Sequence, residues 1–490
     1  MAERIRFITI LCCLLMPAWT GISAQFSNTY YYMYMVPQAN QLNPAFQPTC
    51  RSYIGFPVLS PLRFEVVSNS LHYNDVFTWN SSTGKYITFL HPEGDKQKFL
   101  DALKPVNVIR AGASSTLISI GRKEDEYFFT LDFSERMDQH VSFSRDLAEF
   151  LINGNQNQSR FNFSDLANNA SYYHELALGV SYNFDDEFQL GARAKLLLGT
   201  GNVTTRRSDI NMKTSIYEWN IKSDILVDAS LPYVDLPVDE EGYLDIDSIR
   251  SLSDLDQLDL LLGIPTGLPD LITPSGLSTI FGIKNPGFAL DFGFHYRPVE
   301  KMVVSASVLN LGFIRWRNSV YNFQQETDYT FEGLEYTLED DWNTGEALLD
   351  SLQDATKIKV TKKAYTSYLS ARVYLGAAYE LTEKVRFGGV FRTRIHQYKF
   401  YNQFTISANY QPFSMLSGSL SYSMYGNNYM NLGLGLSVRG GPVNIYFITD
   451  QAPSAYFWPK EFSSLNFRLG LNLVFGCDAS GRKKDRPLID

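Results

Sequence analysis

Residues 289–298, ALDFGFHYRP, alternate apolar and polar side chains almost without a break. In an extended strand successive side chains point to opposite faces. Leu290, Phe292, Phe294 and Tyr296 therefore share one face, and Asp291, Gly293, His295 and Arg297 the other. The pattern recurs along most of the chain, in residues 126–133, 173–184, 187–196, 385–397, 431–439 and 466–475. One face of each stretch is aliphatic or aromatic. The other carries Glu175, Arg193, Lys195, Asp291, His295, Arg297, Arg372, Arg386, Arg392, Arg394 and Arg468 among small residues. A period of two over about ten residues specifies a strand longer than the usual ~5–6. Roughly fourteen such strands fit between residues 50 and 476. Very short connections such as Thr382-Glu383 and Gly440-Gly441-Pro442 alternate with long ones, which implies an up-and-down antiparallel order.

Two architectures accept many alternating strands. In a sandwich the apolar faces meet each other and the polar faces meet water. In a membrane barrel the apolar face meets lipid and the polar face lines the interior. Strand length favours the barrel, because a tilted crossing takes ~9–11 residues. So does the aromatic share of 14%, with 30 Tyr and 34 Phe, which suits girdles at the two membrane interfaces. The polar face is rich in arginine rather than exposed lysine and glutamate, and guanidinium groups suit a crowded interior where they pair with carboxylates. The expected fold is all-β, a closed transmembrane barrel of about 14 strands.

The start, MAERIRFITILCCLLMPAWTGISAQ, has basic Arg4 and Arg6, an apolar core from Phe7 to Met16, and small residues up to Ala24. It reads as a secretory signal cleaved near Ala24, with a lipoprotein reading at Cys12 or Cys13 as the alternative. Removing one acidic and two basic residues moves the net charge from −9 to −10, the wrong sign for nucleic acid. Only Cys50 and Cys477 follow the signal. They either form one bridge in an oxidising compartment or remain two buried thiols. No later stretch offers 18 consecutive apolar residues, so helices do not span the membrane.

Enzyme motifs are missing. The six histidines have no metal-ligand spacing, and there is no nucleophile elbow, phosphate loop or dinucleotide fingerprint. STGK at 82–85 is too short to stand alone. No enzyme, metal or cofactor is expected. The acidic run VDEEGYLDIDS (238–248) lacks an EF-hand ligand order and reads as a solvated loop, with Ca²⁺ as the alternative.

VPQANQLNPAFQP near the mature start, residues 287–316 and NFRLGLNLVFG at the end together resemble a Bacteroidota outer-membrane barrel family known only as a domain of unknown function, number 5723. That family is distantly similar to the long-chain fatty-acid channels, which have fourteen strands and an N-terminal plug. The resemblance implies that Asn43, Pro44, Ala45 and Phe46 belong to a plug. It divides the chain into a signal peptide (1–24), a plug (25–50), a barrel (51–476) with long loops at 232–286 and 317–364, and a tail (477–490). Of these, 318–356 holds ten acidic residues and no basic one. The first loop crowds Leu260, Leu261, Leu262, Ile264 and Leu268 into an apolar stretch, suited to an access groove or to burial on the barrel rim.

The resulting expectation is a channel in the Gram-negative outer membrane for hydrophobic or amphipathic small molecules. Its partners would be membrane lipid, the barrel-insertion machinery and a hydrophobic ligand. The alternative is a plugged docking barrel that presents its loops to a secretion or surface-assembly partner.

Overall fold

The computed structural model describes residues 28–477 except 157, 186, 216, 233–235, 246–281, 333–356, 398, 426–427 and 453–462. The strands are β1 (Cys50–Gly55), β2 (Val58–Ser68), β3 (Phe77–Asn80), β4 (Lys85–Thr88), β5 (Val106–Glu124), β6 (Tyr127–Ser144), β7 (Arg160–Asn162), β8 (Ala167–Asn183), β9 (Phe188–Thr214), β10 (Trp219–Ser230) and β11 (Pro286–Val299). There follow β12 (Met302–Trp316), β13 (Val320–Phe331), β14 (Lys359–Thr361), β15 (Tyr365–Tyr368), β16 (Ala371–Thr382), β17 (Val385–His396), β18 (Lys399–Phe413), β19 (Leu416–Tyr425), β20 (Asn428–Gly440), β21 (Val443–Thr449) and β22 (Ser464–Cys477).

These form a closed antiparallel barrel of 14 staves, some of them built from more than one strand. β1 and β2 together make the first stave and pair on one side with β5 and on the other with β22. That pairing closes the ring of staves, as hydrocarbon requires, because an open edge there would leave backbone groups unsatisfied. The long β9 carries two partners end to end: β11 along Phe188–Leu198 and β10 along Asn202–Thr214. β13 pairs with β10 throughout its length and with β14, so this side of the wall rises above the rest.

β13 corrects the sequence reading, which placed 317–364 wholly in a loop. Its VYNFQQETDYTF lacks a continuous apolar face because Gln325 and Thr327 interrupt the side that carries Tyr321, Phe323, Tyr329 and Phe331. β10 ends at Ser230 and β11 begins at Pro286. The expected signal peptide, the apolar leucines 260–262, Ile264 and Leu268, the acidic stretch of 333–356 and the tail beyond Cys477 lie outside the described residues.

The barrel has a turn end and a loop end. At the turn end, strands meet through two-residue turns such as Asp125-Glu126 and Gly441-Pro442, and Asp125 and Gly441 take the positive φ that tight hairpins demand (52° and 58°). Cys50 and Cys477 meet there as a register pair, 4.1 Å apart at Cα, and are disulfide-bonded. At the loop end lie helices α1 (Tyr73–Val76), α2 (Lys96–Ala102) and α3 (Arg145–Asn153). Asp95 caps α2 and Ser144 caps α3 through side-chain oxygens that accept from N3 amides. Leu71, Phe99, Leu100, Leu103 and Ala148 bury one another beneath them.

The opening alternation now has its answer. Phe292 is 47% exposed on the outside while Asp291 is 0% exposed inside. Phe129, Leu178, Phe387, Ile406, Leu420 and Leu434 continue the outer belt. An outside of large apolar groups around a polar, charged interior is the inverse of a soluble barrel, and hydrocarbon is the solvent that makes it stable.

Candidate functional site in the barrel interior

Residues 28–49 lie inside the barrel, entering at the turn end, where they lead into β1. A backbone inside a barrel must satisfy its own polar groups. This one does so by a succession of tight turns, with Tyr31, Met33, Val36, Ala39 and Leu42 each donating to the carbonyl three residues back. Pro37 starts a short 3₁₀ helix, Pro37–Gln41, at the position that needs no amide donor. Tyr30, Tyr31, Tyr32, Met33, Val36 and Phe46 are at most 3% exposed.

These side chains pack on inward-facing wall residues Val303, Leu309, Tyr374, Ala378, Val390, Tyr446 and Ile448. The Tyr31 ring stands edge-on to Tyr32 and Phe46, at 5.0 and 5.1 Å, and stacks on Tyr374 at 5.7 Å. Arg386 lies 4.3 Å over Tyr34, and Arg468 lies 4.4 Å over Tyr30. Burial raises the hydroxyl pKa of Tyr31 well above the ordinary tyrosine value, and those of Tyr30 and Tyr32 move the same way.

Polar ties fix the register of the segment. Gln38 and Asn472 exchange amide hydrogen bonds of 2.6 and 3.2 Å. The Thr29 hydroxyl meets Ser421 at 2.7 Å and donates to Asp450, and its carbonyl accepts from Ser419 at 2.9 Å. Asn43 turns the chain by accepting the Ala45 amide at 3.0 Å. Its Nδ2 donates to the carbonyl of Phe294 at 3.0 Å, and Ser307 donates to that of Leu42 at 2.6 Å. The wall makes room with glycine. A Cβ on Gly191 would lie closer than 3.0 Å to backbone atoms of Pro44 and Ala45, and one on Gly293 would lie 2.9 Å from Pro44 Cδ.

Charged groups from the wall crowd against this segment. Lys195 Nζ is 2.7 Å from Asp291 and 3.6 Å from Glu175, and it donates to Asn310 Oδ1 at 2.7 Å. Glu175 also accepts from Arg136 at 2.8 Å, and Arg193 pairs with Asp132. A bulge in the pairing of β11 with β12 lets Asn310, at φ 60°, donate its amide to Asp291 at 2.6 Å. Glu65 is held by Arg110 at 2.9 Å, and Glu380 by Arg386 at 2.6 Å and Arg297 at 3.8 Å. Charges removed from water at such cost persist only when paired.

Residues 44–450 match the model of a family of unknown function, DUF5723. The chain belongs to this family. No curated protein matches it. Among solved structures it is similar to the toluene transporter TbuX of Ralstonia pickettii, at 9% identity and a TM-score of 0.39, with 90% of this chain and 94% of that one covered. It is similar to a FadL homologue of Pseudomonas aeruginosa, at 9% identity and a TM-score of 0.37 over 94% and 100% of the two chains. A third is the translocator domain of the autotransporter NalP from Neisseria meningitidis, at 8% identity and a TM-score of 0.30 over 89% and 95%.

The structure places all eleven charged and histidine residues singled out by the alternation on the inner face. It brings Glu175, Arg193, Lys195 and Asp291 together in one cluster, while Arg297 and Arg386 form a second around Glu380 nearer the turn end. Asn43, Pro44, Ala45 and Phe46 are all inside the barrel. Sequence reasoning missed the partners Asp132, Arg136, Glu65 and Arg110, and it missed Tyr30–Tyr34. The signal for the last was available: TYYYMYM is the densest aromatic run outside any strand, and a run of that kind needs burial.

Proposed function

We propose that this protein is an outer-membrane channel for hydrophobic or amphipathic small molecules, closed at rest by residues 28–49 acting as a plug. The observation that carries the reading is the apolar, aromatic surface that the wall turns inward: Val303, Tyr374, Val390, Tyr446 and Ile448. An ordinary aqueous pore has no use for it. Withdrawal of the segment would uncover a lumen with an apolar stripe beside charged groups, which is what a molecule with an apolar body and a polar head can follow. The two-residue turns, the Cys50–Cys477 bridge and the root of the plug would face the periplasm, and the helices and rising strands the exterior.

The experiment is uptake of labelled octanoate, toluene and glucose into vesicles carrying the full chain. The channel reading expects saturable uptake of octanoate or toluene and none of glucose. Equal leakage of all three, or uptake of none, would refute it. One observation favours the docking reading instead: β10 and β13 rise above the barrel and present a raised two-stranded surface beside the lumen. A protein that co-purifies with the wild type and is lost when exposed Tyr217 is changed to Ser would support that reading.

A further inference from the structure

At the loop end Gln397, which follows β17, reaches across to the strand β8. Gln397, at φ 46°, exchanges hydrogen bonds of 3.4 and 2.6 Å with Asn169 of β8, although β8 and β17 stand well apart around the ring. The same fold brings His396 of β17 to His140 of β6, with ring centroids 5.1 Å apart. Beneath this bridge is a cavity of about 140 Å³ lined by both histidines together with Arg206, Arg207, Lys399 and Asp165. It has room for several waters, and so for a carboxylate or a tetrahedral oxyanion.

Each of these two cavity-lining histidines has one buried ring nitrogen, His140 Nδ1 and His396 Nε2, with no hydrogen-bond partner among the described residues. His140 is 9% exposed. The neighbours of His396 admit one tautomer that suits an anion. Arg394 can only donate, and it donates to Ser370 Oγ at 2.9 Å. The Ser370 hydroxyl can in turn donate to His396 Nδ1, 2.9 Å away, and in that tautomer the ring proton is on Nε2. Nε2 belongs to a ring that lines the cavity and has no acceptor among the described residues. A buried donor in this position carries an unpaid desolvation cost until a ligand accepts from it.

Charge decides the kind of acceptor. Three cations and one carboxylate line the cavity. Arg206 also pairs with Asp228, and Arg207 with Asp224 at 2.9 Å, and neither acid lines the cavity. The lining itself offers more cationic donors than acids, and no third His, Cys, Asp or Glu joins the two histidines in a metal-holding group among the described residues. We infer that the cavity under the His140–His396 bridge is a binding site for an oxyanion group, a carboxylate or phosphate, taken from the loop side of the barrel. His396 Nε2–H donates to it, and Arg206, Arg207 and Lys399 supply charge-assisted hydrogen bonds. The site stands on its own geometry and would bind its anion even if the barrel transported nothing.

The test is calorimetric titration of the full-length protein in detergent with inorganic phosphate, acetate and octanoate. The wild type should bind at least one of them saturably. His396→Phe, which keeps the ring and loses the donor, and Lys399→Gln should each weaken binding at least tenfold. Arg122→Gln, a cation at the far end of the barrel, should leave it unchanged, and heat-modifiable gel mobility checks that each variant folds. Octanoate binding much tighter than acetate assigns the site to the head of an amphiphile; phosphate binding alone assigns it to a phosphate group. No saturable binding of any probe by the folded wild type, or equal binding by His396→Phe and Lys399→Gln, would overturn the inference.

Discussion

Replacing Gly191 by alanine tests from the wall side whether residues 28–49 are seated as described. The new Cβ would press on Pro44 and Ala45 backbone atoms at less than 3.0 Å, where no flexible side-chain end can swing aside. Overpacking of a filled site costs about 1–3 kcal/mol. If that cost falls on seating, the unseated population rises about 5- to 150-fold at roughly 1.4 kcal/mol per tenfold. Hydrogen exchange of peptides covering 28–49 reads this population directly, because the Phe46 amide, bonded to the Asn43 carbonyl at 2.9 Å, exchanges when the segment leaves. Gly293→Ala meets Asn43 and Pro44 side-chain atoms instead and should show a smaller rise. Gly389→Ala, whose nearest neighbour would be a Phe404 ring carbon at 3.8 Å, should match the wild type. Exchange in Gly191→Ala that equals that of Gly389→Ala in a folded barrel would refute the reasoning.

Three further outcomes follow from the interior. Lys195→Met withdraws the cation shared by Glu175 and Asp291 and should cost about 3–5 kcal/mol in guanidinium unfolding, with partial recovery when Asp291→Asn is added. The Tyr31 hydroxyl has its pKa raised by burial, so the stability it lends is complete below the ordinary tyrosine value and falls as pH rises beyond it. Thermal melting should therefore decline above about pH 10, and Tyr31→Phe should flatten the decline. Cys50→Ser should lower stability by about 2–5 kcal/mol, seen as a lower unfolding temperature of the barrel, because the bridge joins the first and last staves.

The staves were legible because lipid outside and charge inside impose the same period on every crossing; Phe292 beside Asp291 shows both solvents in two residues. The helix Arg145–Asn153 is marked in the sequence by its capping residue, Ser144. β13 was not legible, since Gln325 and Thr327 interrupt its apolar face. Ion pairing was hidden for a different reason. Lys195 meets Asp291 only because β9 and β11 pair in one register, Ala289 opposite Lys195, and a shift of one residue would exchange inside for outside. Nor could alternation reveal the interior segment, whose turns have no period. Its aromatic density pointed to burial, while the wall that buries it comes from strands hundreds of residues away.

The most direct test of the proposed channel locks residues 28–49 in place. Thr29 and Ser421 face each other at 2.7 Å between hydroxyl oxygens, so Thr29→Cys with Ser421→Cys should form a tether between the interior segment and the wall. Octanoate uptake into vesicles would be measured with the tether oxidised and then reduced. The wild type would be taken through the same cycle to allow for the Cys50–Cys477 bridge. The account predicts that uptake stops in the oxidised double variant and returns on reduction. Uptake that persists with the tether closed would contradict it.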